Sequence, residues 1–322
     1  MHVYSNVLEM IGKTPMIQLN QLDTGQCQLF GKLELLNPGG SIKDRIALSM
    51  IESAESEGKI KPGDTLVEAT AGNTGLGLAL VAAQKGYKMI IVMPDKMSME
   101  KEYNLLAMGA KVVRTRSNVL KGDPEYYQEV AARIAEETPN AYFINQFSND
   151  ANVQAHYKST APEIWEQMNH EIDAFVCGVG SGGTLTGVGR FLKEKNPNVD
   201  MVLADPKGSI LEHYHRTQEK IKPGSWFVEG IGEDFIPDIC DMDFVDVAYT
   251  IPDSEAFKVA RELLLTEGIQ AGSSSGTLLA AALRYCREQT EPKRVVTLLC
   301  DTGNRYLSKM YNNDWLKENN LL

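Results

Sequence analysis

The sequence carries no excess of positive charge. Lys and Arg total 32 against 43 Asp and Glu, a formal net charge of −11. Nucleic-acid binding wants a basic stripe, so this balance argues against such a partner. Cysteine is scarce and irregularly placed: Cys27, Cys177, Cys240, Cys286 and Cys300, an odd count with no CxxC spacing. That excludes a disulfide framework and points to a reducing cytoplasm. No apolar run approaches the roughly 18 residues of a membrane span; Gly, Gln, Lys or Pro interrupts each one. The N-terminal stretch MHVYSNVLEMIGKTP lacks a basic region followed by an apolar one, so no secretory signal is expected. Histidines are scattered. His213 and His215 would share a face only on a strand, so they read as a surface pair, and no metal site is expected. Internal repeats, low-complexity tracts and flexible linkers are also lacking.

What is present is alternation. Helical spacing of apolar residues runs over 43–57, 74–84, 99–108, 125–137, 153–168, 185–195, 254–267 and 277–288. Short β-branched or apolar runs at 65–68, 88–93, 111–114, 173–177, 201–204 and 295–299 read as strands. Strand–helix alternation of this kind predicts an α/β fold with mostly parallel sheets. With 322 residues the chain exceeds what one core usually holds, so two lobes with a ligand cleft at their join are expected. The stretch 207–228, rich in His, Lys, Pro and Gly, reads as irregular.

Four polar or glycine-rich turns are each predicted to lie between a strand and a helix. In NPGGSIKDR (37–45), Lys43 opens a helix, where the helix's partial positive charge disfavours a second cation and favours a neutral amine nucleophile. On that segment alone, an ordinary surface lysine beside Asp44 is the simpler reading. In EATAGNTG (68–75), backbone N–H groups could hold a carboxylate, or Asn73 or Thr74 could simply cap a helix. GVGSGGT (178–184) follows a strand and forms a plausible phosphate cradle. It is neither a Walker A loop nor GxGxxG, which weakens a nucleotide reading. AGSSSG (271–276) alone reads as a serine-capped helix start.

Taken together, these segments resemble the cysteine synthase and cystathionine β-synthase family of fold type II pyridoxal 5′-phosphate (PLP) enzymes. The resemblance runs through GKTP (12–15), NPGGSIKDRIA (37–47), TAGNTG (70–75), NQFSNDANVQAHY (145–157), GVGSGGTLTG (178–187), VEGIGEDFIP (228–237) and GSSSGT (272–277). It implies a two-lobed α/β fold of the tryptophan synthase β type, with parallel-rich twisted sheets flanked by helices. The smaller mobile domain would span 41–146, and 1–40 with 147–322 would form the larger domain that binds the PLP phosphate.

The resemblance also assigns residues. Lys43 would hold PLP as a Schiff base and then act at the substrate Cα. Asn73 would bond the cofactor's phenolic oxygen, and Ser274 the pyridine nitrogen. Gly180, Ser181, Gly182, Gly183 and Thr184 would hold the phosphate. Thr70, Ala71, Gly72, Thr74 and Gln146 would receive the substrate carboxylate. A serine at the pyridine nitrogen makes the ring a weaker electron sink than a carboxylate would. That favours expulsion of a β-substituent through an aminoacrylate intermediate, to which a thiol adds.

DKMSMEK (95–101), TAPEI (160–164), DPKGSI (205–210) and VEGIGEDFIP look closer to cystathionine β-synthase than to cysteine synthase. The implied substrates are therefore L-serine or O-acetyl-L-serine and homocysteine. Cysteine synthesis from O-acetylserine and sulfide, and β-elimination without a second thiol, are the enzymatic alternatives. Capture of an acetyltransferase C-terminus and nucleotide binding are the non-enzymatic ones. Neither an S-adenosylmethionine-binding module nor a haem extension is expected, and a homodimer is implied. The sequence departs from the family at two positions. Ala71 stands where serine is common. Glu233 stands where animal cystathionine β-synthases have tyrosine, which makes it a candidate acid toward the leaving group, or a plain carboxylate at the cleft rim.

Overall fold

The computed structural model describes residues 3–70, 72–95, 99–119 and 122–322. Strands β1 (Met16–Gln18) and β2 (Gln28–Lys32) come first. Then follow α1 (Lys43–Ser56), β3 (Thr65–Ala69), α2 (Asn73–Lys85), β4 (Lys88–Pro94), α3 (Met99–Ala107), β5 (Lys111–Thr115), α4 (Tyr127–Glu137), β6 (Ala141–Phe143) and α5 (Asp150–Ala155). The remainder is α6 (Ala161–Gln167), β7 (Ala174–Cys177), α7 (Gly183–Lys195), β8 (Asp200–Pro206), α8 (Leu211–Thr217), β9 (Val247–Ile251), α9 (Asp253–Glu267), α10 (Ser273–Glu288), β10 (Arg294–Leu298) and α11 (Asn313–Glu318). The chain divides into two compact units, Met1–Ile11 with Asn37–Ala155, and Gly12–Leu36 with His156–Leu322.

The first unit is built on a four-stranded parallel sheet in the order β5-β4-β3-β6. Every residue of central β3 is buried, as expected where helices cover both faces of a parallel sheet. Leu66 joins a cluster with α1, α2 and α5 on one face. Val67 and Ala69 pack with Val130 and Ala131 of α4 on the other. Helices α1 and α2 approach closely at Gly77, where a Cβ would lie 3.0 Å from the Lys43 carbonyl oxygen. That absence of a side chain brings the start of α1 against the first turns of α2.

The second unit holds a six-stranded sheet, β1-β2-β10-β7-β8-β9, parallel except for the β1–β2 pair. Helix α10 is buried along most of its length, and Gly276 lets it meet the α9 backbone at Ala256.

Three sequence expectations are corrected. The helix expected over 153–168 is α5 and α6 separated by a π-helical turn, His156–Thr160; apolar periodicity does not register a single inserted residue. The stretch 207–228, expected to be irregular, contains α8, which carries His213 and His215. The turns at 37–45 and 271–276 do not follow strands: a 3₁₀ turn (Glu34–Leu36) precedes the first, and α9 precedes the second.

Candidate functional site

The first unit presents Lys43 and the turn 70–75. Lys43 is the first residue of α1, half-buried, and its backbone N–H donates to Ser41 Oγ at 3.2 Å. Asp44 turns back to accept the Gly39 N–H at 2.5 Å and is itself buried. The carboxylate thus braces the glycine loop, which tells against a simple surface pair with Lys43. Helix α2 has Gly72 as its N-cap and no side-chain cap, so the expectation of capping by Asn73 or Thr74 is not met. Its first-turn N–H groups are instead placed as anion donors. Buried Thr70 accepts the Gly72 N–H on its hydroxyl at 3.2 Å. Thr74 donates its hydroxyl to Gln146 Oε1 at 2.8 Å, and Asn152 Nδ2 fixes the Gln146 carbonyl at 2.9 Å. Thr70, Gly72, Asn73, Thr74 and Gln146 are therefore drawn together within this unit. Ala71 lies outside the described residues.

The second unit presents the loop 178–184 and the start of α10. Gly182, at φ +92°, is the N-cap of α7, again without a side-chain cap. The loop is walled by backbone. A Cβ on Gly180 would sit 2.5 Å from the Gly230 carbonyl oxygen, and one on Gly182 2.5 Å from Cys240 Cβ. Gly232 N–H donates to the Val179 carbonyl at 2.8 Å. Ser181 is buried, Gly183 begins α7, and the Thr184 hydroxyl meets His156 Nε2 at 3.2 Å. The other ring nitrogen of His156 meets Thr160 Oγ1 at 2.9 Å, across the π-helical turn.

Of the three serines that open α10, the outer two are engaged. Ser273 Oγ accepts from the Glu229 N–H at 3.0 Å, and Ser275 Oγ from the Cys300 N–H at 2.9 Å. Ser274, only 4% exposed, makes no side-chain hydrogen bond among the described residues. Glu233 is half-buried. Its backbone N–H donates to Ser209 Oγ at 3.0 Å, and its carbonyl accepts the Ser209 hydroxyl at 3.1 Å and the Ile210 N–H at 3.1 Å. The Cys240 thiol is pushed up to about 12 by burial first, then by the negative charges of Asp241 and Glu233.

Over residues 7–301 the sequence matches the family described as "Pyridoxal-phosphate dependent enzyme". The chain belongs to this family. The cystathionine beta-synthase of Apis mellifera is 44% identical to this PLP-family member over 323 residues, covering 99% of the chain and 64% of that relative. The chain thus spans less than two thirds of that relative's length. The O-acetylserine dependent cystathionine beta-synthase of Bacillus subtilis is 41% identical, with 96% of this chain and 98% of the relative covered. A hydrogen sulfide-producing enzyme of Fusobacterium nucleatum superposes with TM-score 0.88 at 38% identity, covering 95% of this chain and 100% of the other.

The residues present fit the family's cofactor. In the second unit a glycine cradle at an uncapped helix start suits a phosphate, and a buried hydroxyl without a protein partner among the described residues suits a ring nitrogen; in the first unit an amine suits an aldehyde. Sequence reasoning gave no role to His156 or Glu68 and read Asp44 only as a surface neighbour of Lys43. Each is marked by burial, which motif spacing does not report. Among the described residues no helix is long and apolar enough to cross a membrane, and no cluster of three or more His, Cys, Asp or Glu is arranged for a metal ion.

Proposed function

We propose that this chain catalyses β-replacement on a serine-type amino acid, joining it to homocysteine to give cystathionine. Bound PLP supplies the electron-accepting ring that lets the Cα proton leave and the β-substituent depart. Lys43 would hold the cofactor's aldehyde carbon through its amine and, once the substrate's own amine has displaced it, would carry the proton at Cα. Asn73 orients the cofactor's phenolic oxygen. The backbone N–H groups and hydroxyls of Gly180, Ser181, Gly182, Gly183 and Thr184 hold the phosphate, and His156 orients the Thr184 hydroxyl. Thr70, Ala71, Gly72, Thr74 and Gln146 bind the substrate carboxylate.

The observation that carries this reading is Ser274, the one buried serine of three left without a protein hydrogen bond among the described residues. A neutral hydroxyl at the ring nitrogen moderates the electron sink and favours loss of a β-substituent over transamination. The Bacillus subtilis relative, matched nearly end to end, is named for dependence on O-acetylserine, which supports O-acetyl-L-serine as the amino-acid donor. Acetate leaves without protonation whereas hydroxide needs an acid, and Glu233 is the acid assigned to the serine reaction. By the same resemblance the protein is a cytoplasmic homodimer, which light scattering would register as twice the chain mass.

The test is a visible spectrum of the holoenzyme during addition of L-serine, then O-acetyl-L-serine, then homocysteine or sulfide. The expected result is a spectral change with the amino acid, recovery with homocysteine, and cystathionine in the product. Recovery with sulfide alone would make the enzyme a cysteine synthase. Lys43→Ala should abolish turnover; a variant within tenfold of the parent would overturn the assignment.

A further inference from the structure

The turn 70–75 rests on a group that the proposed reaction does not use. Glu68 is the fourth residue of β3, two before Thr70, and it is 0% exposed. Side chains alternate along a strand, so Glu68 shares the face of Leu66, which packs in the apolar cluster with α1, α2 and α5. The polar groups that act on it are the backbone N–H groups of Ala69, Asn145 and Gln146 and the side-chain amide of Gln146. None completes a hydrogen bond of normal geometry with either carboxyl oxygen. Gln146 spends its Oε1 on the Thr74 hydroxyl at 2.8 Å, which leaves its amide nitrogen for Glu68. Asn145, at φ +51°, turns the chain so that Gln146 enters beside the strand end.

We propose that Glu68 is a positioning residue for capture of the amino-acid substrate: its buried carboxyl at the end of β3 backs the Gln146 side chain, and through it the Thr74 hydroxyl, at the turn 70–75. This rests on the reading of that turn as the carboxylate site. The chemistry favours a neutral acid in this place. Burial pushes the Glu68 carboxyl up to about 8, offset only in part by the surrounding amides, so it keeps its proton at neutral pH. An ionised carboxylate two residues before Thr70 would oppose the arriving substrate anion. A protonated one offers a donor and an acceptor and adds no charge.

The experiment compares parent, Glu68→Gln, Glu68→Met, Glu68→Asp and Thr74→Val holoenzymes at pH 7. Steady-state kinetics and amino-acid titrations followed by cofactor absorbance supply the readouts. Replacing the buried polar group behind Gln146 with an apolar one should raise the amino-acid KM and dissociation constant about tenfold in Glu68→Met. The value of kcat and the thiol KM should move far less. Glu68→Asp, which keeps the acid but draws it back from Gln146, should shift in the same direction and serves if Glu68→Met does not fold. Glu68→Gln should recover parent behaviour, since it keeps neutrality, donor and acceptor. A parent-like amino-acid KM in Glu68→Met and Glu68→Asp, with a raised one in Thr74→Val, overturns the role of Glu68 alone. A parent-like KM in Thr74→Val overturns the carboxylate reading of the turn, and this inference with it. A loss in Glu68→Gln equal to that in Glu68→Met also overturns it.

Discussion

At the residue scale, Gly182 of the cradle and Gly230 of its wall differ in what a methyl group would meet. Gly182 has φ +92° and no room, whereas Gly230 has φ +86° and open space around a Cβ. Gly182→Ala therefore adds a collision with Cys240 to the backbone strain that both alanine variants share. Overpacking of this kind costs about 1–3 kcal/mol. The expected outcome is a lower melting temperature and less bound PLP in Gly182→Ala than in Gly230→Ala, read by calorimetry and by cofactor absorbance per chain. Glu68 gives a second prediction at this scale. Its carboxyl titrates near 8 when folded and near the ordinary carboxylate value of 4.5 when unfolded. Between those values the folded chain binds more protons than the unfolded one, so its stability falls as pH rises through that window and levels off above it. Glu68→Gln lacks this loss. The melting temperature of Glu68→Gln relative to the parent should therefore climb from about pH 5 to about pH 8 and then hold steady.

At the element scale, β2 is tied to α6 by a buried cation. Lys32 Nζ reaches the Thr14 carbonyl at 2.6 Å, Glu163 Oε2 at 2.8 Å and Gln167 Oε1 at 2.9 Å. Gln167 Nε2 donates to the same Thr14 carbonyl at 2.9 Å, and Glu163 also accepts the Lys13 N–H at 2.9 Å. Removing one partner of such a pair leaves the other uncompensated, at a cost of about 3–5 kcal/mol. Lys32→Met should lose stability on that scale in denaturant unfolding, and Lys32→Met/Glu163→Met should regain part of it. Elements themselves were unevenly legible. Helices such as α1, α7 and α9 carry long apolar stripes, and the sequence places them to within a residue or two. Strands β1 and β6 have three residues each, too few for a period of two to emerge. β2 ends in a lysine that reads as polar and is buried because acceptors from α6 and Thr14 surround it. Tertiary partners of that kind are invisible to local pattern.

At the scale of the whole molecule, the α/β class follows from alternation alone, because short buried runs between amphipathic stretches leave few other architectures. The candidate site shows in the sequence as glycines and a fixed order, at Lys43, Asn73 and the loop 178–184. It was not legible where chemistry demands burial. Ser273, Ser274 and Ser275 are identical as letters, and only packing shows that the outer two are engaged by the amides of Glu229 and Cys300.

The pairing of β2 with β10 has a further consequence, in time rather than space. It joins residues 28–32 to residues 294–298, while the four-stranded sheet is complete by Phe143. At a synthesis rate of about 5–20 residues per second, β10 leaves the ribosome on the order of ten seconds after the last strand of that smaller sheet. Through that interval β2 and β7 each lack the neighbour that will lie between them. Both expose unpaired strand edges, the form of backbone most prone to pairing with another chain. The larger sheet is thus vulnerable to aggregation until β10 has been made, and the burden of protecting it falls on whatever binds nascent chains in the cell.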